Sequence, residues 1–293
     1  MTIAISTASG NIGLRAAERV IEAGAKAVLF ARQSDKVAHL AARGAVIAPI
    51  SSDDAAGIIA ASAGAKALLW VTPPKLDEPT LHGWYMRCAE AALAAVRQNG
   101  IARVVHISSL GAASAGPGLG TLTYVAEVER MFDEAVANVM HLRPGFFMEN
   151  LLRRVESIRR GVLHFPFAPD HAIPFISADD IGDVAAACLL DDRWEGHHAR
   201  DLTGPAYVTL PEVAAILSSA LGRPLRYERQ SVESSIAPLA AYGATPGVQR
   251  ELGELQRALS DPAGPYAPPH TPGEVTPTTL AAFATKKLGP LFP

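Results

Sequence analysis

Between a short apolar run, Ile3-Ala4-Ile5, and a helical pattern from about Asn11 to Ala23 lies the turn Thr7-Ala8-Ser9-Gly10-Asn11-Ile12-Gly13. A glycine turn joining a first strand to a first helix suits a dinucleotide-binding βαβ unit. Its glycines permit the bend, the approach of backbone to a pyrophosphate and the packing of helix on strand. Amides at the helix start then receive the phosphates. Gly10 and Gly13 take the second and third glycine roles, and Thr7 stands in the first. A β-branched residue disfavours a positive φ, so either Thr7 takes an ordinary conformation or the turn differs locally.

The turn is the first of a series. Ala27-Val28-Leu29-Phe30, Val46-Ile47, Ala67-Leu68-Leu69-Trp70-Val71, Arg103-Val104-Val105-His106-Ile107 and Val139 to Leu142 alternate with helical patterns near 35–42, after Asp53-Asp54, 78–98 and 124–135. Strands with few charges, separated by helices, predict a parallel sheet covered on both faces, and right-handed crossovers make it doubly wound. The fold class expected is therefore α/β, a Rossmann fold with a smaller, mostly helical C-terminal lobe. Residues 1–150 form the NADP(H)-binding domain in this reading. Residues 151–293 form a substrate or partner lobe with some return segments to the sheet. Within that lobe the spacing predicts a basic helix over 151–160, a strand at Leu225 to Glu228, an irregular stretch from Pro262 to Pro277 and a last helix near 280–287.

At the end of the second strand, an acidic residue would grip the adenosine ribose. This sequence has Ala31-Arg32-Gln33-Ser34-Asp35-Lys36 instead. Arg32 offers a planar fork for a 2′-phosphate and Lys36 a second positive charge, which favours NADPH over NADH. The alternative is a pair of solvated helix-flanking cations partly neutralised by Asp35.

Composition narrows the partners. A formal net charge of -3 supplies no broad basic field, so direct nucleic-acid binding is not expected. Apolar stretches fall short of the roughly 20 residues that cross a bilayer, and no basic leader precedes Thr2-Ile3-Ala4-Ile5; a cytoplasmic protein without a membrane span is expected. Cys88 and Cys188 fit neither a disulfide framework nor a metal spacing and read as buried thiols. His197-His198 is an adjacent pair read as a surface turn, and no metal site is expected.

Several segments together resemble the NmrA-like family of atypical short-chain dehydrogenases, which includes type-2 quinone oxidoreductases and NADPH-sensing regulators. They are Ala8 to Gly13, Arg32 to Lys36, Val71-Thr72-Pro73-Pro74, His106-Ile107-Ser108-Ser109, Leu142-Arg143-Pro144-Gly145-Phe146-Phe147-Met148-Glu149-Asn150, Asp179-Asp180-Ile181, and Leu202-Thr203-Gly204-Pro205 with Glu212-Val213-Ala214. The resemblance implies that Gly10, Asn11, Ile12 and Gly13, flanked by Thr7 and Ser9, meet the pyrophosphate, and that Arg32 and Lys36 meet the 2′-phosphate. Thr72, Pro73 and Ser108 or Ser109 would border the ribose and nicotinamide. Pro144, Gly145 and Phe146 would line the nicotinamide end, with Phe147 and Asn150 facing the substrate. All fall at carboxyl ends of strands, where an open α/β sheet binds ligands.

The catalytic machinery departs from the usual pattern. Many short-chain dehydrogenases use a tyrosine acid with a lysine four residues later. Tyr124 lies in the right region, but the position four later is Val128. Hydride transfer to a quinone or similar electron-poor acceptor does not demand a strong protein acid, because the cofactor carries the chemistry. Phe146, Phe147, Met148, Phe165, Phe167 and Phe175 form either an apolar acceptor pocket or interlobe core. His82 and Trp84 are assigned to the substrate cleft, the alternative being an amphipathic helix start. Two functions remain from sequence: an NADPH-dependent oxidoreductase with a small-molecule electron acceptor, or a non-catalytic NADP(H) sensor with a regulatory protein partner; a homodimer is open. In a third outcome Thr7 closes the site and no dinucleotide binds.

Overall fold

The computed structural model describes residues 1–267 and 273–292. Strands β1 (Thr2–Ile5), β2 (Lys26–Phe30), β3 (Val46–Ala48), β4 (Ala67–Trp70), β5 (Arg103–Ile107) and β6 (Val139–Pro144) lie in the order 3-2-1-4-5-6, all parallel. The chain then leaves the sheet for β7 (Phe146–Phe147), β8 (Val162–Phe165) and β9 (Ile173–Ile176), and returns as β10 (His197–Thr203) beside β6. After β11 (Tyr207–Val208) and β12 (Arg226–Arg229) it returns once more as β13 (Glu274–Val275), parallel to β10. Among the described residues the large sheet has eight strands. In the smaller lobe β7 and β11 flank β9, and β12 pairs with β8.

Period-two alternation divides each central strand between two cores. Ile3, Ile5, Leu69, Val105 and Ile107 join the core under α1 (Asn11–Glu22), α2 (Ala38–Ala41) and the later α7. Ala4, Leu68, Trp70 and Val104 join the one under α3 (Ala55–Ala61), α4 (Leu81–Asn99) and α5 (Thr121–Ala135). After α6 (Val155–Arg159) comes α7 (Ala178–Leu190), which lies close against α1 because Gly182 has no side chain: a Cβ there would come 2.6 Å from the Arg15 Cβ. Asp183 then bridges Arg15 and Arg19, each Nε at 2.7 Å.

The lobe has its own core of Met148, Leu151, Phe165, Phe167, Phe175 and Phe283, closed by α8 (Leu210–Leu221), α10 (Pro246–Ser260) and α11 (Leu280–Phe283), with α9 (Val232–Ile236) lying against α10. Thr209 and Glu212 form a reciprocal capping box at the start of α8, with Pro211 in its first turn.

Some local expectations change. The stretch from Met148 to Arg154 is a 3-10 helix, and only Val155–Arg159 is α-helical. His197-His198 begins β10 and is not a turn; the polar run His197 to Asp201 becomes a strand through its backbone register with β6, which its side chains do not advertise. The stretch expected to be irregular contributes β13, and its residues 268–272 lie outside the described residues.

Candidate cofactor and substrate cleft

The cleft lies at the topological switch, where β1 has β2 on one side and β4 on the other. Thr7 leaves β1 with φ +50, the only non-glycine among the described residues with a positive φ. The residue therefore takes the conformation a glycine would supply. Such a conformation costs a β-branched residue on the order of 1–2 kcal/mol. Two bonds hold it: the Thr7 hydroxyl donates to the Val71 carbonyl at 2.8 Å, and the Gly10 N–H donates to the Thr7 carbonyl at 2.9 Å. The Val71 N–H in turn donates to the Ser6 hydroxyl at 2.7 Å, so the ends of β1 and β4 are laced together. Thr7→Gly removes the φ penalty and the anchoring hydroxyl together, and a net stability change within about 1 kcal/mol is expected by urea denaturation.

Beyond Gly10 no side chain caps α1, and its first turn has no acidic residue. The amides before the first helical bond, Leu14 N–H to the Gly10 carbonyl at 2.8 Å, are thus left to a ligand or water. Ser9 is half-buried beside them. Arg32 and Lys36 are exposed just past β2, and neither forms an ion pair with any described residue, Asp35 included.

At the carboxyl ends of β4 and β5, Thr72 and Ser108 follow the register pair Trp70 and His106 by two residues each. Both hydroxyls are buried without a hydrogen-bond partner. Buried orphan hydroxyls on neighbouring strands are what a ligand's polar edge would satisfy. Ser109 is half-buried. The Ser108 and Leu110 amides donate to Leu142 and Pro144 carbonyls at 2.8 and 2.9 Å, tying this edge to β6. Gly145 passes so close to β9 that a Cβ would sit 2.3 Å from the Pro174 carbonyl oxygen.

Phe146 is half-buried and has the rings of Phe165, Phe167, Phe175 and Tyr266 set edge-on around it at 5.2–6.2 Å. Those four are buried, so the aromatic group is lobe core presenting a single ring, and not an open acceptor pocket. Phe147 and Asn150 are half-buried on the same segment.

Trp84 needs a correction. It is 1 % exposed, its indole N–H donates to the Pro73 carbonyl at 2.7 Å, and Lys75 and Arg87 stand over its ring. It braces the Thr72-Pro73 segment from within the core of α4 and lines no open cleft. His82, on the first turn of α4, is about half exposed, bonds Glu127 at 2.8 Å and packs on Tyr124 with ring centroids 4.9 Å apart.

Tyr124 has its hydroxyl pushed well above the ordinary tyrosine range, first by burial and then by Glu251 and Glu254 of α10. That is the opposite of what a lysine partner would do, and Val128 is fully buried. The acidic neighbours of this hydroxyl thus come from α10. Glu129 instead faces β6: burial alone would raise its carboxyl, but the Arg143 fork, at 2.9 and 2.6 Å, outweighs this and holds it below the usual range. Its place on the face of Val125, Val128 and Phe132 was the available signal.

Glu149 was also missed. Burial pushes its carboxyl up to about 7, although both oxygens accept the Ala178 amide at 3.1 Å. The fold therefore prefers the protonated form. The stability this gives is full below the ordinary 4.5 and is lost as pH rises through about 7. Glu149→Gln keeps an acceptor for Ala178 without the charge. The variant should match the wild type near pH 4.5 and exceed it at pH 8 by on the order of 1 kcal/mol in urea denaturation; parallel pH profiles would contradict this.

The sequence matches the NmrA-like family over residues 1–260. It is 28% identical over 255 residues to an NAD(P)H azoreductase from Xenophilus azovorans, covering 87% of this chain and 85% of that protein. It is 27% identical over 263 residues to a (4-alkanoyl-5-oxo-2,5-dihydrofuran-3-yl)methyl phosphate reductase from Streptomyces griseus, covering 87% and 86%. The fold is that of an NADPH-dependent quinone oxidoreductase from Escherichia coli, solved with NADPH, at a TM-score of 0.72, 24% identity and coverage of 97% and 98% of the two chains.

Proposed function

As the chain belongs to the NmrA-like family, we propose that it is an NADPH-dependent oxidoreductase that passes hydride to a quinone or a similar small carbonyl or enone acceptor. The observation that carries this reading is the turn: Thr7, at φ +50, keeps the bend that a first glycine would make. A turn that keeps this bend argues against a site closed by Thr7. Gly13, the uncapped α1 amides and the orphan hydroxyls of Thr72 and Ser108 fit a dinucleotide laid across the switch point.

In this reading the first-turn amides of α1 receive the pyrophosphate, and Arg32 and Lys36 take the 2′-phosphate. Thr72 and Ser108 bond the ribose and nicotinamide edge, while Phe146, held by its ring of aromatics, sets the floor against which the acceptor lies. Pro144 and Gly145 shape that end. NADPH supplies the hydride when bound. His82, Phe147 and Asn150 flank the acceptor. With Tyr124 poorly placed to give up a proton, electron-poor acceptors that need little help from a protein acid are favoured. The named activities of the two relatives, on an azo bond and on a conjugated dihydrofuranone, agree with that preference. Solution within the cytoplasm and the division into residues 1–150 and 151–293 belong to the same reading, the second part lending β10 and β13 to the first.

Arg32→Ala should raise the NADPH dissociation constant at least about tenfold and change that for NADH less than about twofold. Fluorescence titration checks this, and equal effects would remove the assignment of the 2′-phosphate. Steady NADPH oxidation with a panel of quinones and enones is the test of catalysis. Tight NADP(H) binding without turnover would move the reading to a redox sensor, and absence of binding below millimolar concentration would overturn both.

A further inference from the structure

The C-terminal lobe holds a second concentration of unsatisfied polar groups. A cavity of about 570 Å³ opens between the end of β12, the start of α9 and the end of α10, with Pro166, Arg229, Gln230, Ser231, Arg257 and Ser260 in its wall. Among the described residues nine buried side-chain nitrogen or oxygen atoms lack a hydrogen-bond partner, and two of them belong to this wall: Gln230 Nε2 and Ser260 Oγ. His171 is 4 % exposed, packs on Phe167 with centroids 5.6 Å apart and has Ser260 and Asp261 as polar neighbours. Orphans clustered at one cavity call for a partner that several donors can share.

The charges point the same way. Arg229 spends its Nε on the Pro166 carbonyl at 3.1 Å and forms no ion pair with a described residue. Arg257 reaches Glu233 at 3.2 Å from an exposed position and can turn inward. One turn along α9, Arg154 donates to Ser235 Oγ at 3.4 Å and lies over the Phe165 ring at 4.9 Å, again without a carboxylate. A guanidinium cannot shed its proton, so half-burying Arg154 without an anion is costly, while Arg229 and Arg257 stand exposed at the rim. Asp261 is the acidic side chain in the wall, and its Oδ1 already accepts the Ala263 amide at 2.9 Å.

We infer that this cavity is a second small-molecule site, which takes an oxyanion-bearing ligand, a phosphate or a carboxylate, independently of the dinucleotide. A tetrahedral or planar oxyanion offers the several lone pairs that Arg229, Gln230, Ser260 and an inward-turned Arg257 lack. Arg154 adds attraction from the side.

Nitrogen-proton NMR of the full chain tests this, with inorganic phosphate and then malonate as probes at ionic strength held constant with sodium chloride. The Gln230 side-chain amide and the Arg257 Nε–H should shift saturably in at least one titration, and the tighter anion identifies the class. Arg257→Gln, an exposed change that keeps the fold, and Arg229→Gln should each weaken the response at least about fivefold, whereas Arg32→Ala should leave it unchanged. Failure of both anions to give a saturable shift, the same shifts with sodium chloride alone, or an undiminished response in the doubly substituted protein would overturn the site. Loss of the response in Arg32→Ala would place the anion at the dinucleotide cleft and overturn it as well.

Discussion

Arg143→Met will destabilise the protein by about 3–5 kcal/mol, because it leaves the Glu129 carboxylate buried with no counter-ion. The side chains are 16 % and 8 % exposed and joined by two parallel bonds at 2.9 and 2.6 Å. Water screens such a pair little, and neither group gives up its charge near neutrality while the other is present. A fall of roughly 10 °C in Tm is expected, read by calorimetry beside urea denaturation. The diagnostic is the double variant: Arg143→Met with Glu129→Gln removes both charges and should recover more than half of the loss. If the double variant is as unstable as the single one, the loss comes from packing of the arginine stem and the account by charge is wrong. The effect matters for the cleft as well, since β6 supplies the Leu142 and Pro144 carbonyls that hold the Ser108 and Leu110 amides.

Gly13→Ala should cost less stability and more binding. The added Cβ would lie 2.5 Å from the Thr7 carbonyl oxygen and 2.9 Å from the Ala8 Cα, both backbone atoms of the turn. Neither can give way without moving α1 off β1, so a loss of about 1–3 kcal/mol in stability is expected. The same displacement carries the first-turn amides away from the pyrophosphate, and NADPH affinity should fall about a hundredfold or more. Gly10→Ala is the milder companion, because its nearest contacts are 3.2 Å to the Thr7 carbonyl oxygen and 3.3 Å to the Thr7 methyl. Titration of the three proteins with NADPH gives the ranking. Affinity for Gly13→Ala within about threefold of the wild type would mean that the turn does not hold the cofactor.

The alternation of strand and helix was legible because burial on both faces of a parallel sheet forces apolar runs, and those runs are local. The place of Arg32 and Lys36 just past β2 was legible for a related reason, because where a strand ends depends on near neighbours in the chain. Trp84 was misplaced because its position on α4 faces both Pro73 and the core, and sequence spacing does not tell which side of a helix meets a loop. The strand at His197 was missed because its residues alternate poorly and its pairing with β6 is set by backbone bonds. Glu149 and Glu251 could not be found from pattern at all. The first meets Ala178 across 29 residues and the second caps Leu81 across 170.

The opening turn separates the two sources of information. The residues alone determined that a strand, a glycine-bearing bend and a helix follow one another, since each depends on neighbours a few positions away. Only the tertiary structure decided how Thr7 could stand where a glycine belongs. The answer is a positive φ held by the Val71 carbonyl, 64 residues away just past β4. A conformation that is unfavourable in isolation persists when distant groups bond to it, and such bonds exist only once the sheet has formed.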